Sequence, residues 1–354
     1  MNITVLTYLE SERSKTWDVV VDQVAAELRA AGHDASILAI HSHLDKLLDG
    51  LTRPRPDLVF NLMEMFNRDY FGDVDVAGFL DLLDLPHTGG GAGELYLQQD
   101  KSITKKLLAS EGIKYPRYMV VAPGAAPDSL GDLRPPLFVK PLRTDASIGI
   151  SERSIVKDFS SLVKQVRSIH EKVDDAALVE EYIDGREFYV SVLGNNGDRL
   201  ALAPVELDFS GLPEGSPRVA DAAAKWTRSS ARYKGTKSVI ANLPGDVDDQ
   251  LRQTASAACK VLEVRDYGRV DIRLTDSGEV YVIEVNGNCY LEKSSELSMA
   301  AKASGIEYHD LVLRIVDTAM ARYKDKKMRR PKRAPLTPPP PPPIPQAQAA
   351  DQAK

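Results

Sequence analysis

The chain has 354 residues, of which 43% are hydrophobic and 27% charged, a composition typical of a folded globular protein and not of a wholly disordered one. Its 45 lysines and arginines against 51 aspartates and glutamates give a net charge of -6, which disfavours nucleic-acid binding through a global basic surface. Two cysteines are too few for a disulfide scaffold, and no apolar run has the length of a membrane span. We therefore expect a cytoplasmic protein of two or three domains.

Alternating strands and helices are predicted over the first hundred residues. The sequence predicts strands at 3–9, 34–40 and 57–63 and amphipathic helices at 17–31 and 74–83. This alternation indicates a parallel α/β sheet. The glycine-rich run that follows should break the structure and separate this sheet from the next domain.

The middle of the chain is predicted to contain more strands than helices. The expected elements are a helix at 102–110, a polar loop at 144–149, and strands at 137–140, 177–183, 188–193 and 200–206. Residues 208–236 are rich in Gly, Pro, Ser and Ala and lack periodicity, which predicts a long loop that is functional or mobile.

The C-terminal part ends in a segment of unusual composition. Helices are predicted at 246–262 and 309–323. The run from Arg322 to Arg333 is strongly basic, and a proline run from Pro338 to Pro343 precedes an Ala/Gln-rich end. Such a composition cannot build a core, so we interpret it as a solvated extension whose partner, if it has one, the sequence does not identify.

A predicted hairpin carries the most informative residues. Residues 269–274 and 282–286 each alternate polar and apolar side chains, and Asp276-Ser277-Gly278 between them is typical of a turn. If Ser277 and Gly278 form a two-residue loop, Asp271 faces Glu284 and Arg269 faces Asn286 on one side of the sheet.

The two facing carboxylates suggest a metal site. Cross-strand Cβ atoms lie about 5 Å apart, and like charges at that distance destabilise a sheet unless something binds between them, for which a divalent cation is the obvious candidate. Asp271, Glu284 and Asn286 offer the oxygen ligands that Mg²⁺ or Mn²⁺ prefers. The alternative is an ordinary polar sheet face exposed to solvent, and a register shifted by two residues also stays open.

These motifs, together with others upstream, resemble the ATP-grasp ligases and most closely the D-alanine:D-alanine ligase family. The matching motifs, in the order and spacing of that family, are Gly72-Asp73, Leu85-Pro86-His87-Thr88-Gly89, Asp100-Lys101, Lys105-Lys106-Leu107-Leu108 with Gly112-Ile113, Val139-Lys140-Pro141, Glu180 to Glu187, Val192-Leu193-Gly194, Arg269-Val270-Asp271 and Glu284-Val285-Asn286. The resemblance implies a three-domain ATP-grasp fold of α/β and α+β class, with nucleotide bound between the central and C-terminal domains. The implied domains are 1–97, 98–188 and 189–323, followed by a disordered tail, 324–354.

The resemblance also assigns roles around the nucleotide. Lys101 and Lys140 correspond to the lysines that hold the phosphates of ATP, and Ser147 and Gly149 to a small-residue loop above them. The strand that presents hydrogen-bonding groups to adenine corresponds to Glu180, Glu181 and Ile183, and the ribose ligand to Glu187. Without the resemblance, these residues would be read as solvated lysines and an acidic strand edge.

The implied reaction is the ATP-dependent formation of an amide. Asp271, Glu284 and Asn286 would hold Mg²⁺, and Arg269 would stabilise the transferring phosphoryl group. Lys225 and Trp226 resemble a Lys-Tyr pair of the loop that covers the substrate in this family, and Ser147 and Lys225 are further catalytic candidates. A carboxylate would be activated as an acyl phosphate and attacked by an amine, with ADP and phosphate released.

The substrate positions depart from the family pattern. The glutamate that orients the first amine falls on Arg13, one residue after Glu12, while Ala146 and Trp226 stand in place of a serine and a tyrosine. We therefore expect an altered first-substrate pocket.

The second-substrate site differs as well. Ser295 and Glu296 lie where the family binds the second carboxylate, and Glu292 adds further negative charge. These acids favour an amine-rich or peptide-like acceptor, unless Lys293 pairs with them at the surface.

Three functions follow from these observations. We expect a carboxylate-amine ligase acting on small amino-acid or peptide substrates, with a homodimer left open by the family resemblance. A genuine D-alanine:D-alanine ligase is the first alternative. A non-catalytic ATP-binding protein that acts through its Pro-rich tail is the second.

Overall fold

The computed structural model describes residues 1–69, 71–144, 147–227 and 229–329. The first of its sheets is parallel, with strand order β2-β1-β3. Its elements are β1 (Asn2–Tyr8), α1 (Val19–Ala30), β2 (Asp34–Ile40), α2 (Leu44–Thr52), β3 (Leu58–Leu62), α3 (Gly72–Leu82) and α4 (Ala92–Gln99). The parallel α/β arrangement expected from the sequence is confirmed, with α2 and α4 as additional helices.

The second sheet is antiparallel, four-stranded and ordered β4-β7-β5-β6. Its region comprises α5 (Lys101–Ser110), β4 (Tyr118–Val121), β5 (Leu137–Pro141), β6 (Ile155–Val156), α6 (Phe159–Val173) and β7 (Ala177–Glu181). Helix α6 packs its apolar residues on this sheet and begins at Asp158, whose carboxylate accepts a hydrogen bond from the Ser161 backbone N–H at 2.7 Å.

The third sheet is six-stranded, with β9 paired to β8 and the remaining strands ordered β11-β10-β8-β12-β13. Its strands are β8 (Arg186–Leu193), β9 (Leu200–Ala201), β10 (Val205–Asp208), β11 (Lys237–Ile240), β12 (Tyr267–Leu274) and β13 (Val280–Gly287). The helices of this region are α7 (Ala222–Trp226), α8 (Ala231–Gly235), α9 (Gly245–Val261), α10 (Glu296–Ala303) and α11 (Tyr308–Arg329).

Several predicted boundaries are wrong in detail. The single strand expected at 200–206 is two short strands, because Pro204 has no N–H to continue the ladder. The loop expected at 208–236 contains two short helices, α7 and α8. The glycine run was expected to lack regular structure throughout, but helix α4 already begins within it, at Ala92. The predicted tail overlaps α11, whose backbone is helical to Arg329, and residues 330–354 lie outside the described residues.

The first and third sheets share their cores with elements from other parts of the chain. Apolar residues of β1 and α1 pack with residues of β8, α10 and α11 in one cluster. Leu108 of α5 packs with β8, β12 and α9. The division at residues 97 and 188 stays a prediction, and strand β8 crosses the second of these boundaries.

Through hydrogen bonds, Arg322 links the last helix, α11, to the glycine-rich run that begins at Gly89. Its guanidinium donates to Asp266 Oδ2 at 2.9 Å and to the carbonyl of His87 at 2.8 Å, and Asp266 Oδ2 accepts from the Gly89 N–H at 2.8 Å. The sequence analysis placed Arg322 in a solvated basic run. That interpretation is wrong for this residue, since its side chain is only 15% exposed and is paired with a fully buried carboxylate.

In the part of the chain that the structure describes, no helix has both the length and the apolar character required to cross a membrane.

Candidate active site

The hairpin of β12 and β13 has the predicted register at its polar end. Asp271 pairs with Glu284 and Arg269 with Asn286, as expected. The two-residue loop is wrong, because Leu274 pairs with Val280 and the loop runs from Asp276 to Gly278. An irregularity beyond Asp271 shifts the ladder by one residue and restores the predicted pairs.

Each of the two facing carboxylates has its own cation. Arg269 Nε and Nη2 donate to the two oxygens of Asp271 at 2.7 and 3.0 Å. Lys101 Nζ lies 3.1 Å from Glu284 Oε1. The protein thus supplies two compensating charges of its own, and the metal site predicted between the two acids stays a prediction.

Burial and neighbouring charges give the two acids different pKa values. Burial raises the pKa of Asp271, and the charge of Glu284 adds to that effect although Arg269 opposes it. Burial also acts to raise the pKa of Glu284, but the ammonium groups of Lys101 and Lys140 outweigh it and lower this pKa to about 2. Glu284 is thus ionised at neutral pH and available to bind a cation.

A Glu284→Gln variant should show a flatter dependence of stability on pH. The pKa of Glu284 falls from 4.5 to about 2 on folding, so its stabilisation is complete above pH 4.5 and is lost as the pH falls toward 2. Removing the charge should remove up to about 3 kcal/mol of this pH-dependent free energy of unfolding. Urea titrations between pH 5.5 and 3 would measure the slope.

The control for this measurement is Glu279→Gln on the same hairpin. Glu279 pairs with Lys114 at 2.8 Å, but both side chains are about half exposed, at 45% and 55%. Solvent screens such a pair, so Glu279→Gln should change the slope of the unfolding free energy against pH much less than Glu284→Gln does. Equal slopes for the wild type and Glu284→Gln would contradict the assigned pKa.

A buried cluster of two lysines and one glutamate lies beside the hairpin. Lys105 Nζ is 2.5 Å from Glu180 Oε1, and Lys140 Nζ is 3.2 Å from Glu180 Oε2, with all three side chains at most 4% exposed. Burial lowers the pKa of Lys105, and Glu180 only partly opposes that shift. Burial likewise acts to raise the pKa of Glu180, but the two lysines outweigh it and lower this pKa.

Lys105 belongs to one of the matching motifs but was not predicted as a site residue. It lies four positions after Lys101 on α5, so the two lysines share a helix face, and this spacing was the available signal. Glu180 lies on the strand predicted to present hydrogen-bonding groups to adenine, and its carboxylate holds the two lysines; the adenine role of this strand stays a prediction.

One face of β12 and β8 connects the hairpin to the predicted ribose ligand. Alternate residues of β12, Arg269, Asp271 and Arg273, pair with Ser191, Tyr189 and Glu187 of β8. The Arg269 guanidinium lies 4.4 Å from the centre of the Tyr189 ring, and Arg273 Nη2 donates to Glu187 Oε2 at 2.5 Å. Tyr189 and Arg273 were missed, although the alternation along β12 marks Arg273 as a member of the same face.

The loop after β5 contacts the segment that was predicted to cover the substrate. Ser147 Oγ donates to the carbonyl of Ala220 at 3.0 Å, and Ser147 has a φ of 59°. Lys225 lies close enough to the hairpin for its charge to add to the lowering of the Glu284 pKa and to oppose, in small part, the raising of the Asp271 pKa by burial. Gly149 is exposed with a φ of 74°. Ala146 and the side chain of Trp226 lie outside the described residues.

Other predicted residues make their contacts away from this face. Glu181 accepts from the Arg134 N–H at 3.0 Å, and Ile183 is half-buried just after β7. Glu12 accepts from Ser42 Oγ at 2.6 Å in the N-terminal region, and the neighbouring Arg13 is exposed.

The residues predicted for the second substrate begin helix α10. Ser295 Oγ accepts from the Ser298 N–H at 3.3 Å as the helix cap, and Glu296 Oε1 accepts from Ser238 Oγ at 2.9 Å. Lys293 Nζ lies 2.7 Å from Glu27 Oε1. The alternative in which Lys293 pairs with the acids around it is therefore not what the structure shows.

A pocket with two acids and two tyrosines lies at the carboxyl ends of β1 and β3, where open α/β sheets bind ligands. Its lining consists of Thr7, Tyr8, Asp18, Val20, Leu62, Met63, Glu64, Asn288, Cys289, Tyr290 and Leu291. Tyr8 donates to Glu64 at 3.2 Å and Tyr290 to Asp18 at 2.8 Å. Burial raises the pKa of Glu64.

The donor set at the hairpin fits a hard divalent cation. Asp271, Glu284 and Asn286 contribute carboxylate and amide oxygens, which suit Mg²⁺. The buried Nδ2 of Asn286 has no hydrogen-bond partner among the described residues, so this side chain is not committed to the fold. No group of three His, Cys, Asp or Glu side chains with metal-binding geometry occurs in the described ranges. A metal here would rely on the asparagine and on groups from the nucleotide.

Comparisons with known proteins agree with this arrangement. Residues 107–317 match the family described as D-ala D-ala ligase C-terminus. The chain is 32% identical to protein y4sG of Sinorhizobium fredii, covering 86% of this chain and 88% of that protein. It is also 32% identical to a D-alanine--D-alanine ligase of Stutzerimonas stutzeri, covering 84% and 87%.

A solved structure shows the same fold. The D-alanine--D-alanine ligase from Bacillus anthracis complexed with ATP superimposes with a TM-score of 0.73, covering 92% of this chain and 99% of that one at 24% identity. At this identity the likeness concerns the fold alone.

Proposed function

Because this chain belongs to the D-alanine–D-alanine ligase family of ATP-grasp enzymes, which are ATP-dependent and ADP-forming, we propose that it joins a carboxylic acid to an amine through an acyl phosphate. The observation that carries the proposal is the polar face of β12 and β13. Two carboxylates lie there, with Arg269 and Lys101 bound to them and with Lys140 and Lys225 close enough to affect their pKa values. Such a surface suits a phosphate chain together with a divalent cation.

We assign a separate role to each group of residues around this face. Lys101 and Lys140 bind phosphate oxygens, and Glu180 keeps Lys140 in position. Arg269 is fixed by Asp271 and by its stacking on Tyr189, so it can stabilise the charge on the transferring phosphoryl group without reorganising. The contact between Ser147 and Ala220 brings the loop after β5 against the segment carrying Lys225, which helps to exclude water from the acyl phosphate.

Mg²⁺ or Mn²⁺ is the metal that we assign to Asp271, Glu284 and Asn286. When bound, such an ion neutralises charge on the phosphate oxygens. Glu284 is ready for this role because its pKa is lowered to about 2. Arg269 donates one hydrogen bond to each oxygen of Asp271, which leaves an acceptor position on each oxygen for coordination.

The substrates that we propose are an amino acid or peptide acid and an amine-bearing acceptor. The pocket beside β1 and β3 carries Asp18 and Glu64, and among the described residues no lysine or arginine lines it. A carboxylate-lined pocket favours an ammonium group over a free carboxylate. Its wall, Asn288 to Leu291, follows the hairpin directly, so a ligand there would lie on the same side of the protein as the nucleotide face.

A genuine D-alanine–D-alanine ligase is the second candidate, and the similarity to the ligase of Stutzerimonas stutzeri favours it. We further propose that the protein acts in the cytoplasm, where ATP is supplied. A homodimer is part of this proposal, and its test is the mass of the protein in solution.

A substrate panel tests the proposed function. Purified protein with ATP and Mg²⁺ would be offered D-alanine, other amino acids, dipeptides and diamines, with ADP release measured and products identified by mass spectrometry. We expect ADP release that requires an acid and an amine together. D-alanyl-D-alanine as the preferred product would select the second candidate. ATP binding without turnover across the panel would instead indicate a non-catalytic protein.

A further inference from the structure

Arg273 makes contacts that the assigned roles do not explain. Its side chain is only 7% exposed, and the guanidinium donates to Glu187 Oε2 at 2.5 Å, to the carbonyl of Arg218 at 2.6 Å and to the carbonyl of Gly185 at 3.3 Å. A buried arginine is costly unless its donors are satisfied. Here three acceptors from two separate parts of the chain satisfy it.

The carbonyl of Arg218 belongs to the connecting segment, which we define as residues 209–227. The same carbonyl accepts a second hydrogen bond from the Tyr182 hydroxyl at 3.2 Å. Two positions further along, the carbonyl of Ala220 accepts from Ser147 Oγ at 3.0 Å. Three side chains therefore hold the connecting segment. Tyr182 follows the predicted adenine strand, Arg273 is bound to the predicted ribose ligand, and Ser147 lies in the loop above the phosphates.

The Glu187 carboxylate can bind another donor while it holds Arg273. Its Oε2 accepts from Arg273, and its Oε1 accepts from the Tyr189 hydroxyl at 3.3 Å. A carboxylate has about four acceptor positions, so positions remain for hydroxyl groups. The guanidinium fixes the orientation of this carboxylate toward the space where a ligand hydroxyl would bind.

We propose that Arg273 is a positioning residue that couples the binding of ribose hydroxyls at Glu187 to the placement of the connecting segment. This inference rests on the proposed function, because it takes Glu187 as the ribose ligand. A ligand that holds the Glu187 carboxylate also holds Arg273, and through it the backbone at Arg218. By linkage, an ordered connecting segment strengthens nucleotide binding by the same factor. ATP thereby orders the segment that carries Lys225 before the substrates react.

The test compares Arg273→Met and Arg273→Lys with the wild type, using ATP and 2′,3′-dideoxy-ATP. Wild-type protein should bind ATP more tightly than the dideoxy nucleotide, and Arg273→Met should lower ATP affinity about tenfold while nearly abolishing that preference. ATP should also slow amide hydrogen exchange in the connecting segment of the wild type but not of Arg273→Met. Arg273→Lys keeps the charge without the planar fork, so we expect an intermediate preference.

The matched control is Arg186→Met on the neighbouring strand. Arg186 pairs with Glu206 at 2.7 Å and is 41% exposed, so its loss should leave the nucleotide preference unchanged. The inference is overturned if both Arg273 variants keep the wild-type preference and the ATP-dependent protection of the connecting segment. Wild-type protein that binds no ATP would overturn the proposed function as well, so the two failures are distinguishable.

Discussion

Replacing Glu180 with glutamine should lower the free energy of unfolding by about 3 to 5 kcal/mol at neutral pH, the cost of breaking a buried ion pair. Glu180 is the shared partner of Lys105 and Lys140, and all three side chains are almost completely buried. Without the carboxylate, two ammonium groups would face each other in a medium of low dielectric constant. Nucleotide binding should weaken with it, because Lys140 loses the group that positions it.

The difference in the free energy of unfolding between the wild type and the Glu180→Gln protein should become smaller as the pH rises. Burial already lowers the pKa of Lys105, and removing Glu180 removes the main group that opposes this shift. A lysine whose pKa is lower in the folded state than in the unfolded state destabilises the fold below its unfolded pKa, and the loss is relieved at higher pH. Urea denaturation at pH 7 and pH 9.5 would measure both effects.

Glu181→Gln is the matched control for this prediction. Glu181 is adjacent in sequence, but its side chain is 21% exposed and its nearest cation, Arg117, is half exposed at 3.8 Å. Its removal should cost less than about 1 kcal/mol. If the two variants were equally stable, the buried cluster would not have the electrostatic importance that its geometry indicates.

The second large effect is expected for Arg269→Met, which should reduce kcat for ADP formation by about 10²- to 10³-fold, as for the loss of one preorganised charge-stabilising donor. The guanidinium is held by two hydrogen bonds to Asp271 and by the Tyr189 ring. Its position is therefore fixed before the phosphoryl group moves. Initial rates at saturating ATP and substrate, from the panel described above, would measure the change.

A double variant separates catalysis from folding. Arg269→Met alone leaves Asp271 buried without its cation, which should also reduce stability. Combining it with Asp271→Asn removes both charges, so stability should recover in part while activity stays lost. Recovery of activity in the double variant would show that Arg269 acts only by neutralising Asp271.

The sequence predicted the pairing of β12 with β13 well because the information for it is local. Alternation along each strand placed Arg269 and Asp271 on the face of Glu284 and Asn286, and side-chain period is a property of any strand. The loop was predicted wrongly, since Gly278, with a φ of 82°, closes a longer turn. The bulge beyond Asp271 then compensates for this difference, which the sequence gives no means of foreseeing.

The sequence could not predict contacts that depend on how distant elements pack. The pairing of Lys105 with Glu180 joins α5 to β7, and that of Arg322 with Asp266 joins the last helix to the start of β12. Each of these charges, read alone, is indistinguishable from a surface residue. The roles of the predicted nucleotide and metal ligands likewise stay predictions, which the variants above are designed to test.

The core that α1 shares with the end of the chain has a consequence during synthesis. The buried face of α1, including Val21 and Leu28, packs with residues of α11 from Leu311 to Ala319. At translation rates of about 5 to 20 residues per second, the N-terminal sheet waits on the order of 15 to 60 seconds for that partner. During this time its apolar face is open to water and to other nascent chains. We therefore expect the nascent chain to depend on chaperones until α11 has left the ribosome.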